Sequence, residues 1–204
     1  MGDFWVLLGA DYCGKSAVLE ELAAREGRVL PVSVDPAALD EEYQVLTELR
    51  RTLGRMAPGR HSPDYTMAIL NVAVAYHLDR LHRAPDGRTP LLDSYYYKIL
   101  AKCRLFGLDE EPWRSYWSSL PQPAGVVFLD TDPEVAWRRS GSGARLNRLE
   151  YHGSSPTREG FVRFQRELRG ALVDGAGHLF VEHVPGDEAG VAATADLVLR
   201  AMKE

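Results

Sequence analysis

The chain has 204 residues, 45% hydrophobic and 26% charged, with 12 prolines and 18 glycines; this suits one ordinary α/β domain with a real core and excludes collagen-like, disordered and disulfide-scaffold classes. The cysteines Cys13 and Cys103 stand far apart, no charged segment followed by an apolar run opens the chain, and runs such as 124–129 are too short to span a bilayer, so a cytoplasmic protein without membrane contact is expected. A net charge of −5 argues against a nucleic-acid binder that works by neutralising phosphates.

Residues 4–9 form a continuous apolar run closed by a turn signal, which predicts a strand buried on both faces. A helix is predicted over 15–26, a second strand over 29–34, and a helix over 40–56 with Tyr43, Leu46, Leu49 and Leu53 on its apolar face. Residues 57–63 read as a loop. Ser62 as N-cap and Pro63 in the first turn open a long helix to about residue 83. Its middle, 68–75, is apolar almost all round and is expected to pack on the sheet or on another subunit.

A turn at Pro85-Asp86-Gly87 precedes a third strand over 89–93 that ends in a carboxylate, and 95–105 and 112–120 read as helices. Residues 125–129 are the clearest strand, and Asp132 caps a helix that runs into Ser140-Gly141-Ser142-Gly143, a hinge-like segment. An amphipathic helix over 156–173, a fifth strand over 179–184 and a helix over 189–202 complete the chain. Five short buried strands alternating with helices predict an α/β fold with an open, parallel, three-layer sheet, and 1–204 reads as a single domain.

Gly9-Ala10-Asp11-Tyr12-Cys13-Gly14-Lys15-Ser16 matches G-x-x-x-x-G-K-[ST] between the first strand and the first helix, the context a phosphate loop requires. Backbone N–H groups from about Tyr12 to Ser16, with the positive end of the helix dipole, suit the α- and β-phosphates of a nucleotide. Lys15 adds a full charge between the β- and γ-phosphates and the Ser16 hydroxyl a ligand for Mg²⁺. Nucleotide contacts are therefore expected at Gly9, Asp11, Tyr12, Cys13, Gly14, Lys15, Ser16 and Ala17. Cys13, a thiol at a helix N-terminus, is either a small residue that fits or a site sensitive to oxidation. The six histidines show no metal-ligand spacing.

The G-x-D-x-x-G-K-S loop, Leu92-Asp93-Ser94-Tyr95, the run over 127–135 and Arg145-Leu146-Asn147-Arg148-Leu149-Glu150 together resemble thymidylate kinase and its nucleoside and nucleotide kinase relatives. The resemblance implies a P-loop NTPase fold with a mobile Arg-rich lid over about 138–156. It implies transfer of the ATP γ-phosphoryl to an acceptor, a homodimer packed through the long apolar helix, Asp11 touching an acceptor hydroxyl or its surroundings, and Asp93 acting as base or holding Mg²⁺ through water. A carboxylate at the carboxyl end of an inner strand agrees with that role for Asp93, the other reading being a helix cap. Asp130 and Asp132 are weaker candidates, Asp132 reading as an N-cap. Residues 138–169 carry eight arginines against three acids. Arg138, Arg139, Arg145 and Arg148 flank the Gly/Ser hinge and are expected to swing onto the triphosphate, Arg138 or Arg139 lying along the adenine as the family implies. Arg158, Arg163, Arg166 and Arg169 read as a solvated helix face.

The acceptor side departs from the family. Leu30-Pro31-Val32 stands where Phe-Pro-Arg is usual, Ser94 replaces the arginine of D-R-Y, and Leu70 and Val74 stand where the family has a base-stacking Phe and an arginine. A phosphate dianion buried without counter-charges is costly, so a nucleoside-like or other hydroxyl-bearing acceptor is expected at Asp11, Leu70, Val74, Ser94, Tyr95 and Tyr97. Tyr95-Tyr96-Tyr97 with Trp113, Tyr116 and Trp117 either cover that acceptor or serve as core or dimer contacts, and Arg104 or Arg114 could restore the missing charge. Two alternatives stay open: a nucleoside monophosphate kinase with relocated arginines, and an ATP-binding protein that transfers nothing.

Overall fold

The structure is a computed structural model that describes residues 3–25, 27–56, 61–186 and 190–203. In chain order the elements are β1 (Trp5–Leu8), α1 (Lys15–Ala24), β2 (Val29–Val32), α2 (Val45–Arg55), α3 (Pro63–His82), β3 (Thr89–Asp93), α4 (Tyr97–Leu105), α5 (Glu111–Ser118), β4 (Gly125–Asp130), α6 (Pro133–Arg139), α7 (Arg158–Ala176), β5 (Val181–Pro185) and α8 (Gly190–Ala201). The five strands form one parallel sheet in the order β2-β3-β1-β4-β5, the α/β architecture expected.

Strand alternation builds the three layers. Val6 and Leu8 of β1, Leu92 of β3, and Val126 and Phe128 of β4 face one core with Met67, Leu100, Trp117, Phe164 and Leu168 from the helices. Trp5, Leu7, Leu91, Val127 and Leu129 face the other, against Val18, Leu19 and Leu22 of α1 and Ala195 and Val198 of α8. Both faces are covered, so the strands read as unbroken apolar runs rather than alternating ones. Because β1 lies between β3 and β4, the connections leaving its two sides diverge at its carboxyl end, where open α/β sheets place a ligand.

Several boundaries differ from expectation for local reasons. The helix predicted over 40–56 begins at Val45; ahead of it stand the 3-10 turns Pro36–Ala38 and Glu41–Tyr43, the first capped by Asp35 accepting from the Ala37 amide at 3.1 Å. β2 ends at Val32, the last residue paired with β3. The helix predicted from residue 95 starts at Tyr97 because Ser94 and Tyr95 have φ of 64° and 45°, which turns the chain sharply after Asp93. Ser62 does cap α3, its Oγ accepting from the Tyr65 amide at 3.2 Å. Residues 26, 57–60 and 189, on which parts of three predicted segments fall, lie outside the described residues. The hinge-like 140–143 is a hydrogen-bonded corner: Ser140 is fully buried, donates through Oγ to Trp137 O at 2.7 Å and accepts from the Gly143 amide at 3.0 Å. No helix among the described residues is long and apolar enough to cross a membrane.

Candidate active site

The segment after β1 folds back over the start of α1. Gly9 allows it, since a Cβ there would lie 2.6 Å from Cys13 Sγ and 2.8 Å from the Leu129 carbonyl oxygen; Gly14, the N-cap of α1, has φ 106°. Tyr12, the one non-glycine of this loop in the left-handed region, has φ 58°. The amides of Lys15, Ser16 and Ala17 precede the first intrahelical bond, from Val18 N–H to Gly14 O at 3.1 Å, so they belong to the anion-binding end of the helix. Ser16 is exposed there. Lys15 is 8% exposed and arches back over the loop, Nζ donating to the Gly9 and Ala10 carbonyls at 3.2 Å each and lying 3.5 Å from Cys13 Sγ. Burial works against its charge, but Cys13, Asp93 and Asp11 outweigh that and hold the ammonium above its ordinary pKa.

Asp93 comes to the loop through sheet register, Leu7 pairing with it across β1 and β3. Ser94 Oγ donates to Asp93 Oδ1 at 2.8 Å, and the Ser94 amide bonds Leu7 O at 3.0 Å; the residue in the family's arginine position thus orients the carboxylate. The charge of Asp93 is felt by Lys15 and by His77. His77, on α3, is 2% exposed, packs edge-on against Tyr95, and has neither ring nitrogen hydrogen-bonded. Burial pushes its pKa down to about 4 against the pull of Asp93.

The strongest feature opposite the loop was not expected from the sequence. Asp11 is 7% exposed and sits between two ammonium groups of α4, Lys98 Nζ at 2.8 Å from Oδ1 and Lys102 Nζ at 3.0 Å from Oδ2. Gln165 of α7, fully buried, completes the clamp: its Nε2 donates to Asp11 Oδ2 at 3.1 Å and its Oε1 accepts the Asp11 amide at 2.8 Å. Burial raises the Asp11 pKa, but Lys102 and Lys98 overcome it and hold the carboxyl far below the usual range. Lys98 is pushed down to about 8 by burial and by repulsion from Lys15 and Lys102, with Asp11 opposing.

Residues 145–150 reach the loop through Tyr12. The Tyr12 hydroxyl donates to Arg145 O at 2.7 Å and lies 3.3 Å from Glu150 Oε2, the Arg145 guanidinium lies 6.0 Å from the Tyr12 ring centroid, and Tyr12 packs with Trp137 and Leu146 on Tyr151 and Phe161. Two of the arginines expected to swing onto a triphosphate make bonds within the chain. Arg139 is bonded to the loop backbone, Nη1 donating to Cys13 O at 2.9 Å and Nη2 to Gly186 O at 2.8 Å; Arg138 is exposed. Arg148 turns onto Tyr151, its guanidinium 5.2 Å from the ring centroid and Nη1 donating to Tyr151 O at 3.2 Å. On α7, Arg163 and Arg166 are exposed as expected, whereas Arg169 pairs with Asp130, holding that carboxyl below its ordinary pKa and occupying it. Asp132 accepts the Glu134 amide at 2.7 Å, the N-cap role expected.

The aromatic residues on the acceptor side are mostly core. Tyr95 donates to Pro121 O at 3.4 Å, Tyr96 and Tyr97 to Gln122 Oε1 at 2.9 and 3.2 Å, and Trp117 Nε1 to Asn71 Oδ1 at 2.8 Å, so Tyr95 and Tyr97 have their hydroxyls turned from the loop. Val74 is 1% exposed within the core, while Leu70 is half-buried against it, so that face of α3 packs inward. Arg104 and Arg114 line a separate cleft of about 540 Å³ with Tyr97, Gln122, Asp174 and His178, and Arg114 pairs with Glu110. They do not restore the missing charge. Lys98 and Lys102 stand nearer, and the clue in the sequence was a like-charge pair at i,i+4 on a mostly buried helix, which repels unless an anion lies between.

No family model matches the chain. Similar curated proteins include the thymidylate kinase of Schizosaccharomyces pombe, 34% identical over 84 residues that cover 41% of this chain and 39% of that protein. Another is probable thymidylate kinase 1 of Saccharolobus solfataricus, 26% identical over 98 residues that cover 48% of this chain and 52% of that protein. The chain spans about half or less of the length of the curated relatives it matches. Sequence likeness over part of the chain, the parallel sheet and the glycine-rich loop at the end of its central strand agree with one another: in these respects the chain is similar to thymidylate kinases.

Proposed function

We propose that the protein is an ATP-dependent small-molecule kinase, a single domain whose lid over about 138–156 closes on the phosphate loop. The observation that carries this reading is Lys15, a buried ammonium that bonds the Gly9 and Ala10 carbonyls and lies beside the Cys13 thiol, at the N-terminus of α1 and within the field of Asp93. Catalysis of phosphoryl transfer is positioning and charge stabilisation, and these groups meet that need. The amides at the start of α1 receive the β-phosphate, Lys15 leaves its carbonyls for the β- and γ-oxygens, and Arg145 approaches from the lid. Ser16 and Asp93 offer a hydroxyl and a carboxylate, hard oxygen donors that suit Mg²⁺; when bound, the ion neutralises charge on the triphosphate.

The acceptor is a nucleoside-like or other hydroxyl-bearing small molecule, since none of the three arginines usual in the family's acceptor pocket is present at Val32, Val74 or Ser94. The names of the relatives favour a second reading, a nucleoside monophosphate kinase. We further propose a homodimer through α3, whose outer face carries Tyr65, Ala68, Val72 and Ala75 exposed in a line, and action in the cytoplasm on small molecules, without nucleic acid or membrane. ADP release from Mg-ATP against thymidylate, other nucleoside monophosphates, free nucleosides and simple alcohols tests the function. Turnover on an unphosphorylated acceptor supports the first reading and turnover confined to monophosphates the second. An inert protein whose biological role survives Lys15→Ala refutes both.

A further inference from the structure

The separate cleft of about 540 Å³ is walled by one stripe from each of three helices: Tyr97, Ala101 and Arg104 of α4, Arg114 of α5, and Ala171 and Gly175 of α7. Helices that face one another usually interlock, but several of these side chains are short, and a Cβ at Gly175 would meet no heavy atom within 4 Å. The ring centroids of Tyr97 and His178 lie 6.4 Å apart and those of Phe106 and Phe164 5.6 Å apart, so α4 and α7 run antiparallel and the cleft has two distinct ends. Arg104 stands at one end with Glu110, whose charge reaches the neighbouring Cys103 thiol. His178 stands at the other with Gln122, which accepts from the Tyr96 and Tyr97 hydroxyls. Between the ends, Leu100 and Ala101 give the α4 wall an apolar surface. Lys98 and Lys102 leave α4 on a different side, toward Asp11.

The charges of the lining balance, Arg104 and Arg114 against Glu110 and Asp174, and Glu111 reaches Arg114 from outside at 3.7 Å; the cleft as a whole favours neither a lone anion nor a lone cation. One end nevertheless holds two opposite charges that are not satisfied by each other. Glu110 pairs through one oxygen with Arg114, and its other oxygen has no hydrogen-bond partner. Among the described residues, the Arg104 side chain has no hydrogen-bond or ion-pair partner.

We propose that this cleft binds a zwitterion of the α-amino acid type, its carboxylate on Arg104, its ammonium on Glu110 and an apolar side chain laid along Leu100 and Ala101 toward Tyr97. A guanidinium fork matches a carboxylate, and an ammonium brings three donors to a carboxylate that lacks one. The volume lies in the range of small-molecule sites. The site is separate from the phosphate loop, and the inference does not depend on the kinase reading above.

The test uses the full chain saturated with Mg-ADP, so that the nucleotide site is filled, and titrates L-phenylalanine, L-tryptophan and L-leucine by calorimetry, with phenethylamine and 3-phenylpropionate as analogues that lack the carboxylate and the ammonium. At least one of the amino acids should bind wild type. Gly175→Leu, which fills the cleft from a helical position with open space around it, should lower that affinity about tenfold or more while ADP affinity changes less than about twofold and the melting temperature does not fall. Arg104→Gln should weaken the amino acid and 3-phenylpropionate about tenfold and spare phenethylamine; Glu110→Gln should weaken the amino acid and phenethylamine and spare 3-phenylpropionate. The proposal is overturned if none of the three amino acids binds, if binding survives Gly175→Leu, if that change weakens ADP as much as the amino acid, or if the two charge variants affect both analogues alike.

Discussion

The two walls of the cleft are built differently. The phosphate-loop wall is local and backbone-made: eight consecutive residues, two left without side chains by contact or dihedral need, present amides at the end of a central strand. The α4 wall is made of side chains that meet across long stretches of sequence, Asp11 with Lys98, Lys102 and Gln165, and its pattern matches no motif. A backbone site tolerates drift in neighbouring side chains and persists among distant relatives. A side-chain site is rewritten one residue at a time, and no short sequence pattern reports it.

That contrast can be broken from either wall, and the largest effect is expected at Lys15. Lys15→Ala should lower single-turnover ADP release on the order of 10³-fold, because the charge acts on the transferring group; a loss below tenfold would remove the loop wall from the chemistry. On the other wall, Asp11→Ala leaves Lys98 and Lys102 buried without a counter-charge and should cost about 3–5 kcal/mol in urea unfolding. A cost under about 1 kcal/mol would mean that the ammonium groups swing to water and that the wall is not preorganised.

His77 tests the floor of the cleft through pH. Its pKa falls from the ordinary value near 6.5 to about 4 on burial, so the unfolded chain binds the extra proton first. Stability is fully present above about pH 6.5 and falls as the pH drops toward 4, by about 3 kcal/mol in all. His77→Phe should flatten that stretch of the unfolding profile, and an unchanged slope would assign the acid sensitivity to other groups. The smallest effect joins the walls through the lid: Tyr12→Phe removes the hydroxyl contacts with Arg145 O and Glu150 and should weaken lid docking by about 1 kcal/mol, read as faster proteolysis of 140–156 with little change in global unfolding.

How much of this was legible in the sequence follows the same division. β3 falls on the predicted residues 89–93, and the loop, the Ser62 cap and the Asp132 cap fall where expected, because each is decided by neighbours within a few positions. Helix starts were missed at Val45 and Tyr97, where an Asp35 turn and two left-handed residues override the apolar period. Beside the Gly/Ser hinge, Arg139 reads in the sequence as a mobile charge. Its partners, the carbonyls of Cys13 and Gly186, lie 126 and 47 residues away, and no local pattern reports them. The aromatic cluster carried the same ambiguity, and the hydrogen bonds of Tyr96, Tyr97 and Trp117 resolve it toward core.

Cys13 O receives both Thr131 Oγ1 at 3.0 Å and Arg139 Nη1 at 2.9 Å, so both lone pairs of that carbonyl are spent and the loop is braced from behind by the ends of β4 and α6. A loop held this way has little freedom left to lose when a nucleotide arrives. The brace should therefore surface as entropy: with Arg139 shortened to alanine, nucleotide binding would keep most of its heat while losing affinity to the ordering of a slackened loop, and the donor side would begin to resemble a site that folds around its ligand.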